Sequence, residues 1–202
     1  MQKIIAKILS VIIHPLLMPA LGVFIICNTV TYISILPGDI IRSVFLIIFI
    51  STFILPVALI PFFIYFRLIR NEQMDERRQR LAPLIITVFL FYLAYYLLAR
   101  LNIPQIIKVF MLSATITVAL TFLVTTFWKI SAHMTGVGGI SGVLMAIALR
   151  NNIDLQNFLI ISFLVSGFLA YARLKLNAHS PEQVYAGYGM GFVTMMTVMY
   201  IY

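Results

Sequence analysis

Two short polar segments interrupt an otherwise apolar sequence, and each brings cations and a histidine together. Arg173 and His179 precede the last hydrophobic stretch, and His133 follows Lys129 and Ser131 further upstream. An arginine fork suits the oxygens of a phosphate group, which it binds through two parallel hydrogen bonds. One imidazole can act as a nucleophile, and a second can protonate the departing oxygen. These residue types therefore indicate phosphoryl transfer.

The segment around His179 also predicts the start of a helix. Ser180 fits the N-cap, Pro181 the first helical position and Gln183 the third, which together form a capping box. His179 would then lie just before a helix N-terminus, where backbone N–H groups and the positive end of the helix dipole favour an anion. The local pattern is consistent with a phosphate site.

The composition predicts an integral membrane protein. Of the 202 residues, 62% are hydrophobic and 10% are charged, whereas globular proteins carry about 25% charged residues. We expect one membrane domain, 1–202, located in the bacterial inner membrane. The net charge of +8 suits an anionic membrane surface. No nucleic-acid partner is expected, because no soluble basic domain exists to carry one. Cys27 is the single cysteine, which excludes a disulfide framework and a thiolate metal site.

Seven apolar segments are long enough, or nearly so, to cross a bilayer as helices, which takes about 20 residues. We therefore predict an all-α polytopic bundle with six to seven membrane segments and a phosphate pocket at one membrane face. The fifth segment is short, so it is either tilted or only partly spanning. The first contains Pro15 and Pro19, which predict a kink or a re-entrant piece. The segments are 4–35, 43–66, 81–99, 106–127, 137–149, 155–171 and 184–201.

The connectors after the second, fourth and sixth segments fall on one side of the membrane if all seven segments cross. With the N-terminus inside, that side is cytoplasmic by the positive-inside rule. The first of these connectors, 67–80, also carries acidic residues, and its alternative interpretation is a solvated helical extension with internal ion pairs. The cations and histidines so gathered are Arg70, Arg77, Arg78 and Arg80, then Lys129 and His133, then Arg173, Lys175 and His179.

Glycines recur at a spacing that favours close helix packing. Gly138 and Gly142 lie four residues apart, as do Gly187 and Gly191. In lipid, such GxxxG pairs let two helix backbones approach each other closely. We expect this packing to hold His133 and His179 on a rigid scaffold.

The spacing of the polar residues resembles that of the type 2 phosphatidic acid phosphatases, a family related to the vanadium haloperoxidases. That family carries the motifs K-x6-R-P, P-S-G-H and S-R-x5-H-x3-D. The third motif appears here as Arg173, five residues, His179, three residues and Gln183. The second appears as I-S-A-H at 130–133, and the first is reduced to Arg70, six residues and Arg77 without the proline. The resemblance covers residues 67–202.

The resemblance implies a role for each matching residue. His179 would be the nucleophile that forms a phosphohistidine, His133 the general acid, and Arg173 a phosphate ligand together with Ser131. Gln183 stands where the family has an aspartate that orients the nucleophilic histidine. Enzymes of this family need no metal and no cofactor. Their site usually faces outward, whereas the charge count of this sequence places the site on the cytoplasmic side. The further candidates for substrate binding are Arg70, Arg77, Arg78, Arg80 and Lys129.

Three functions follow from the resemblance. The first is a lipid phosphatase acting on a phosphomonoester or diphosphate of a lipid. The second is a non-catalytic protein that binds lipid phosphates, which the reduced first motif and Gln183 favour, because a glutamine cannot stabilise an imidazolium as a carboxylate does. The third is a lipid phosphotransferase, in which an alcohol replaces water at the phosphohistidine.

Overall fold

The chain is built from helices. A computed structural model describes residues 2–29, 36–70, 74 and 76–202, is 84% helical, and contains no strand in these ranges, which confirms the all-α prediction. Short 3₁₀ turns occupy Pro15–Leu17 and Arg77–Arg80, and a π-helical turn occupies Ile50–Ile54. The α-helices are α1 Gln2–Ile12, α2 Met18–Thr29, α3 Gly38–Phe49, α4 Leu55–Ala58, α5 Ile60–Tyr65, α6 Leu81–Ala99, α7 Gln105–Phe127, α8 Ala132–Asn151, α9 Gln156–Lys175 and α10 Pro181–Ile201.

Seven helical stretches within the described ranges are long and apolar enough to cross a membrane, so the chain is an integral membrane protein. Large apolar side chains stay exposed on α9, among them Phe163, Leu164 and Phe168, as expected of helices that face lipid. The expectation of a short fifth segment is wrong, because α8 is helical over 20 residues. Its polar, glycine-containing first turns are helical because they pack against another helix.

The predicted kink in the first span is confirmed. Helix α1 ends at Ile12, and His14 is extended with φ −78° and ψ 137°. Proline disfavours the helical conformation of the residue before it and lacks an N–H group of its own, so Pro15 ends α1. After the 3₁₀ turn, α2 resumes the span at Met18. Residues 30–35 of the predicted first segment lie outside the described residues.

The chain divides into two compact units. The first comprises Met1–Met18 and Trp128–Tyr202, and the second comprises Pro19–Phe127. In the first unit, α1 packs against α9, and α8 packs against both α9 and α10. In the second unit, α6 packs against α7 and α3. All three histidines of the sequence belong to the first unit.

The interface between α8 and α10 depends on glycine, which confirms the prediction of close packing. A Cβ added at Gly138 or Gly191 would lie well inside van der Waals distance of a backbone carbonyl oxygen on the facing helix. A Cβ added at Gly187 would lie 2.7 Å from the carbonyl oxygen of Ser131. Only glycine lets the two backbones approach this closely. The contact fixes the N-terminal ends of α8 and α10 beside each other.

In the second unit, the connector before α6 is non-helical at residues 67–70, 74 and 76, and only its last part, Arg77–Arg80, extends α6 as a 3₁₀ turn. Helix α5 ends at Tyr65, and Arg67 adopts a left-handed conformation with φ 57°. An exposed ion pair does form, between Arg70 and Glu76 at 3.1 Å. Two of the acidic residues, Glu72 and Asp75, lie outside the described residues.

Candidate functional site

A cluster of basic side chains forms within the first unit, at the ends of its helices. Arg173, His14 and His179 all lie close enough to His133 to act on it electrostatically. The ring centroids of His14 and His133 are 5.5 Å apart, with the rings edge to face. Three of these four residues were predicted from the sequence; His14 was not. We call His14, His133, Arg173 and His179 the basic cluster.

The turn between α9 and α10 sets the spacing of Arg173 and His179. The N–H of Ala178 donates to the Arg173 carbonyl at 3.2 Å, and the N–H of Asn177 donates to the Leu174 carbonyl at 2.9 Å. These two bonds define a Schellman motif, which requires a left-handed residue after the helix end. Asn177 supplies it, with φ 51°, because asparagine tolerates this conformation better than most residues.

Gln183 fixes the tautomer of His179. Its side-chain Oε1 accepts a hydrogen bond from the Ser180 backbone N–H at 3.3 Å and lies 3.0 Å from His179 Nδ1. A backbone N–H can only donate, so the Gln183 atom between the two partners is the oxygen. The neutral imidazole of His179 must therefore carry its proton on Nδ1, which leaves the lone pair on Nε2. His179 is buried, at 7% exposure.

The same glutamine completes the predicted capping box of α10 with Ser180. The hydroxyl of Ser180 also donates to the Glu182 carboxylate. The start of α10 is therefore capped by side chains of its own first turn, and the anion site expected at this helix end stays a prediction. The Gln183 Oε1 atom therefore both orients His179 and caps the Ser180 N–H.

The N-terminus of α8 is arranged differently. Ser131 occupies its N-cap position, but the side chain makes no capping bond, and its buried Oγ has no hydrogen-bond partner among the described residues. The Ser131 backbone N–H donates to the Gln183 carbonyl at 3.3 Å, which joins the starts of α8 and α10. An uncapped helix N-terminus favours an anion.

Arg173 faces this region from the last turn of α9. The side chain is half-buried, and its Nε–H is buried without a hydrogen-bond partner among the described residues. A buried donor of this kind is costly unless something accepts from it. Arg173 is thus the cation of the basic cluster best suited to an anionic group.

His133 is held by the first span. Its Nε2 lies 3.0 Å from the backbone carbonyl oxygen of Ser10. A carbonyl can only accept, so the neutral ring carries its proton on Nε2 and its lone pair on Nδ1. His14, the residue that the sequence did not assign to the site, accepts from the Leu16 N–H through Nδ1 at 3.3 Å. The sequence contained one signal for the roles of Ser10 and His14. The two residues are four positions apart in an apolar span, and Pro15 follows directly after His14.

The remaining predicted residues are spread over both units. Lys129 is half-buried in the first unit, just before the start of α8. The candidates for the first motif belong to the second unit, and their position relative to the basic cluster stays a prediction. There, Arg70 pairs with Glu76, Arg80 Nε donates to the Met74 carbonyl at 2.9 Å, Arg77 is half-buried and Arg78 is exposed.

Comparisons with protein-family models, with curated proteins and with solved structures find no match to this chain. The resemblance to the phosphatidic acid phosphatases therefore stays a prediction from the motif spacing. Across the described ranges, no group of three or more His, Cys, Asp or Glu side chains is placed to hold a metal ion. A functional assignment depends on the geometry of the basic cluster.

Proposed function

We propose that the protein is a membrane lipid phosphatase that hydrolyses a phosphomonoester or diphosphate of a lipid through a phosphohistidine on His179. The observation that carries this proposal is the bond between His179 Nδ1 and Gln183 Oε1 at 3.0 Å. It directs the imidazole lone pair to Nε2, the atom that a nucleophile needs. The basic cluster around it supplies the charge that a phosphate requires.

Binding of the phosphate would use three kinds of donor. The Nε–H of Arg173 is buried and has no partner among the described residues, and a phosphate oxygen would satisfy it with a charge-assisted bond. Ser131 Oγ and the uncapped N–H groups at the start of α8 would contact other oxygens. The lipid chains would lie against the apolar helix surfaces, in contact with membrane lipids.

The reaction has two steps. His179 Nε2 attacks phosphorus and the bond from phosphorus to the lipid oxygen breaks, while His133 gives a proton to that oxygen. Water then attacks the phosphohistidine, the P–N bond breaks, and His133 takes back a proton. The products are the lipid alcohol, or the lipid monophosphate from a diphosphate, and inorganic phosphate. Positioned acid–base groups of this kind contribute about 10²–10⁴-fold in rate.

A second candidate function is binding of a lipid phosphate without turnover. Two observations favour it. Gln183 is neutral and stabilises the charged intermediate less than a carboxylate would, and the Nε2 proton of His133 is engaged by the Ser10 carbonyl. In a phosphotransferase, the third possibility, an alcohol would take the place of water in the second step.

The test is phosphate release by the purified protein from a panel of lipid phosphates, with and without vanadate and with a chelator present. The phosphatase proposal predicts turnover that vanadate inhibits. Arg173→Lys should lose most activity, because an ammonium lacks the planar fork, while Lys175→Ala, which removes an exposed neighbouring cation, should keep it. Binding of a lipid phosphate without release would support the second function instead.

A further inference from the structure

The break in the first span leaves a backbone carbonyl available at the end of α1. The last carbonyls of a helix have no helical N–H to pair with. Ile13 donates to Leu9 and Leu17 donates to His14, and within residues 2–29 no backbone N–H donates to the Ser10 carbonyl. A helix continuing through His14 would occupy this oxygen. Pro15 prevents it by holding His14 in an extended conformation.

His133 donates to this oxygen through Nε2 at 3.0 Å. The carbonyl belongs to the C-terminal end of α1, where the helix dipole is negative and favours a cation. Among the described residues, the charged or titratable groups that act on this ring electrostatically are all basic: Arg173 at the end of α9, His179 before α10, and His14. The Ser10 carbonyl oxygen therefore supplies negative partial charge next to His133, whose other charged or titratable neighbours are basic.

We propose that the Ser10 carbonyl, freed by the break at Pro15, is a positioning group for His133 in the proposed reaction. It holds the proton of the neutral ring on Nε2, so the proton exchanged with substrate is carried by Nδ1. In the first step, doubly protonated His133 gives its Nδ1 proton to the lipid oxygen as the P–O bond breaks. In the second, Nδ1 takes a proton from the attacking water, while Nε2–H stays on Ser10 throughout. This inference rests on the proposed function.

His14 maintains the break. Its Nδ1 accepts from Leu16 N–H and so caps the 3₁₀ turn at Pro15–Leu17. The His14 ring also packs edge to face with the His133 ring, with 5.5 Å between the ring centroids. The first span therefore supplies a carbonyl and a ring to a site whose other members follow residue 128.

The experiment is ¹⁵N NMR of histidine-labelled protein in lipid nanodiscs, since three histidines can be assigned from single variants. The proposal predicts that neutral His133 is protonated on Nε2, whereas neutral His179 is protonated on Nδ1. In Pro15→Ala, α1 can extend through His14, and the hydrogen-bonded signal of His133 Nε2 should be lost. His133 protonated on Nδ1 in the native protein would overturn the proposal.

Turnover separates positioning from simple stabilisation. Pro15→Ala should lower kcat about tenfold or more, the effect of losing one hydrogen bond to a charged group, and change the pH profile of kcat while leaving KM unchanged. Pro19→Ala, at the other proline of the span, should leave both kcat and its pH profile unchanged. A Pro15→Ala protein with a lower Tm but an unaltered His133 signal and pH profile would refute the positioning role.

The two proposals fail in different ways. If the native protein releases no phosphate but His133 shows the predicted tautomer, the reaction is refuted, and the bond to Ser10 is only a cap on α1. If phosphate is released and Pro15→Ala changes neither the tautomer nor the pH profile, the phosphatase stands and the role of Ser10 is wrong. A Pro15→Ala variant that does not fold leaves the native tautomer as the deciding measurement.

Discussion

Replacing Gln183 by glutamate should increase turnover without changing stability. The Gln183 oxygen lies 3.0 Å from His179 Nδ1 and 3.3 Å from the Ser180 N–H. Glutamate has the same length and serves equally well as the third residue of a capping box, so it keeps both contacts and adds a charge. Aspartate is shorter by one carbon–carbon bond, about 1.5 Å, and would not span both partners.

The size of the increase follows from the bond to His179. A hydrogen bond contributes about 0.5–1.5 kcal/mol between neutral groups and about 1.5–3 kcal/mol when a group is charged. The charged acceptor should therefore stabilise a positively charged phosphohistidine by about 1 kcal/mol more. Because about 1.4 kcal/mol corresponds to a tenfold change in rate, kcat should rise about fivefold if forming this intermediate limits turnover.

The assay compares kcat for phosphate release and Tm across Gln183→Glu, Gln183→Met and the native protein. Methionine keeps a similar length and removes the acceptor, so it should lower both kcat and Tm; loss of the cap contributes about 0.5–2 kcal/mol. Glutamate should raise kcat at constant Tm. If kcat simply followed Tm across the three proteins, Gln183 would be a capping residue only.

Two further predictions concern the scaffold and the topology. Gly191→Ala should destabilise the protein by about 1–3 kcal/mol, because its Cβ would overlap the Thr135 carbonyl on α8. The control, Gly189→Ala, should not lower stability, because nothing lies within 4 Å of a Cβ at that position. Equal losses of Tm in the two variants would contradict close packing as the cause. For the topology, single cysteines are placed at Asn177 and at Asn71 in a Cys27→Ser background; Asn71 lies outside the described residues. Both cysteines should react with an impermeant thiol reagent from the same side of the membrane. Reaction from opposite sides would exclude a pocket at one membrane face.

Much of the fold follows from the sequence because membrane helices satisfy their own backbone groups. Long apolar segments predicted seven spans, and the prolines predicted the break in the first. The glycine spacing predicted the contact of α8 with α10. The length of α8 was underestimated, because its first turns look too polar to enter a membrane until their burial against α10 is known.

The local part of the site was also predictable, and the long-range part was not. The motif spacing predicted Arg173, His179 and Gln183 as neighbours in the candidate site, and a Schellman turn and a capping box do place them within one stretch of chain. The pairing of His133 with Ser10 joins residues 123 positions apart, and no local pattern contains that information. A His-Pro pair inside an apolar span was the single hint of this contact.

The most direct test of the proposed reaction is to trap and map the phosphoenzyme. The protein is incubated briefly with a ³²P-labelled lipid phosphate, quenched in base, where phosphohistidine survives, and digested for mass spectrometry. The label should lie on His179 and on Nε2, since Gln183 holds the other nitrogen, and His179→Ala should carry none. A label on another residue, or phosphate release that persists in His179→Ala, would contradict the mechanism.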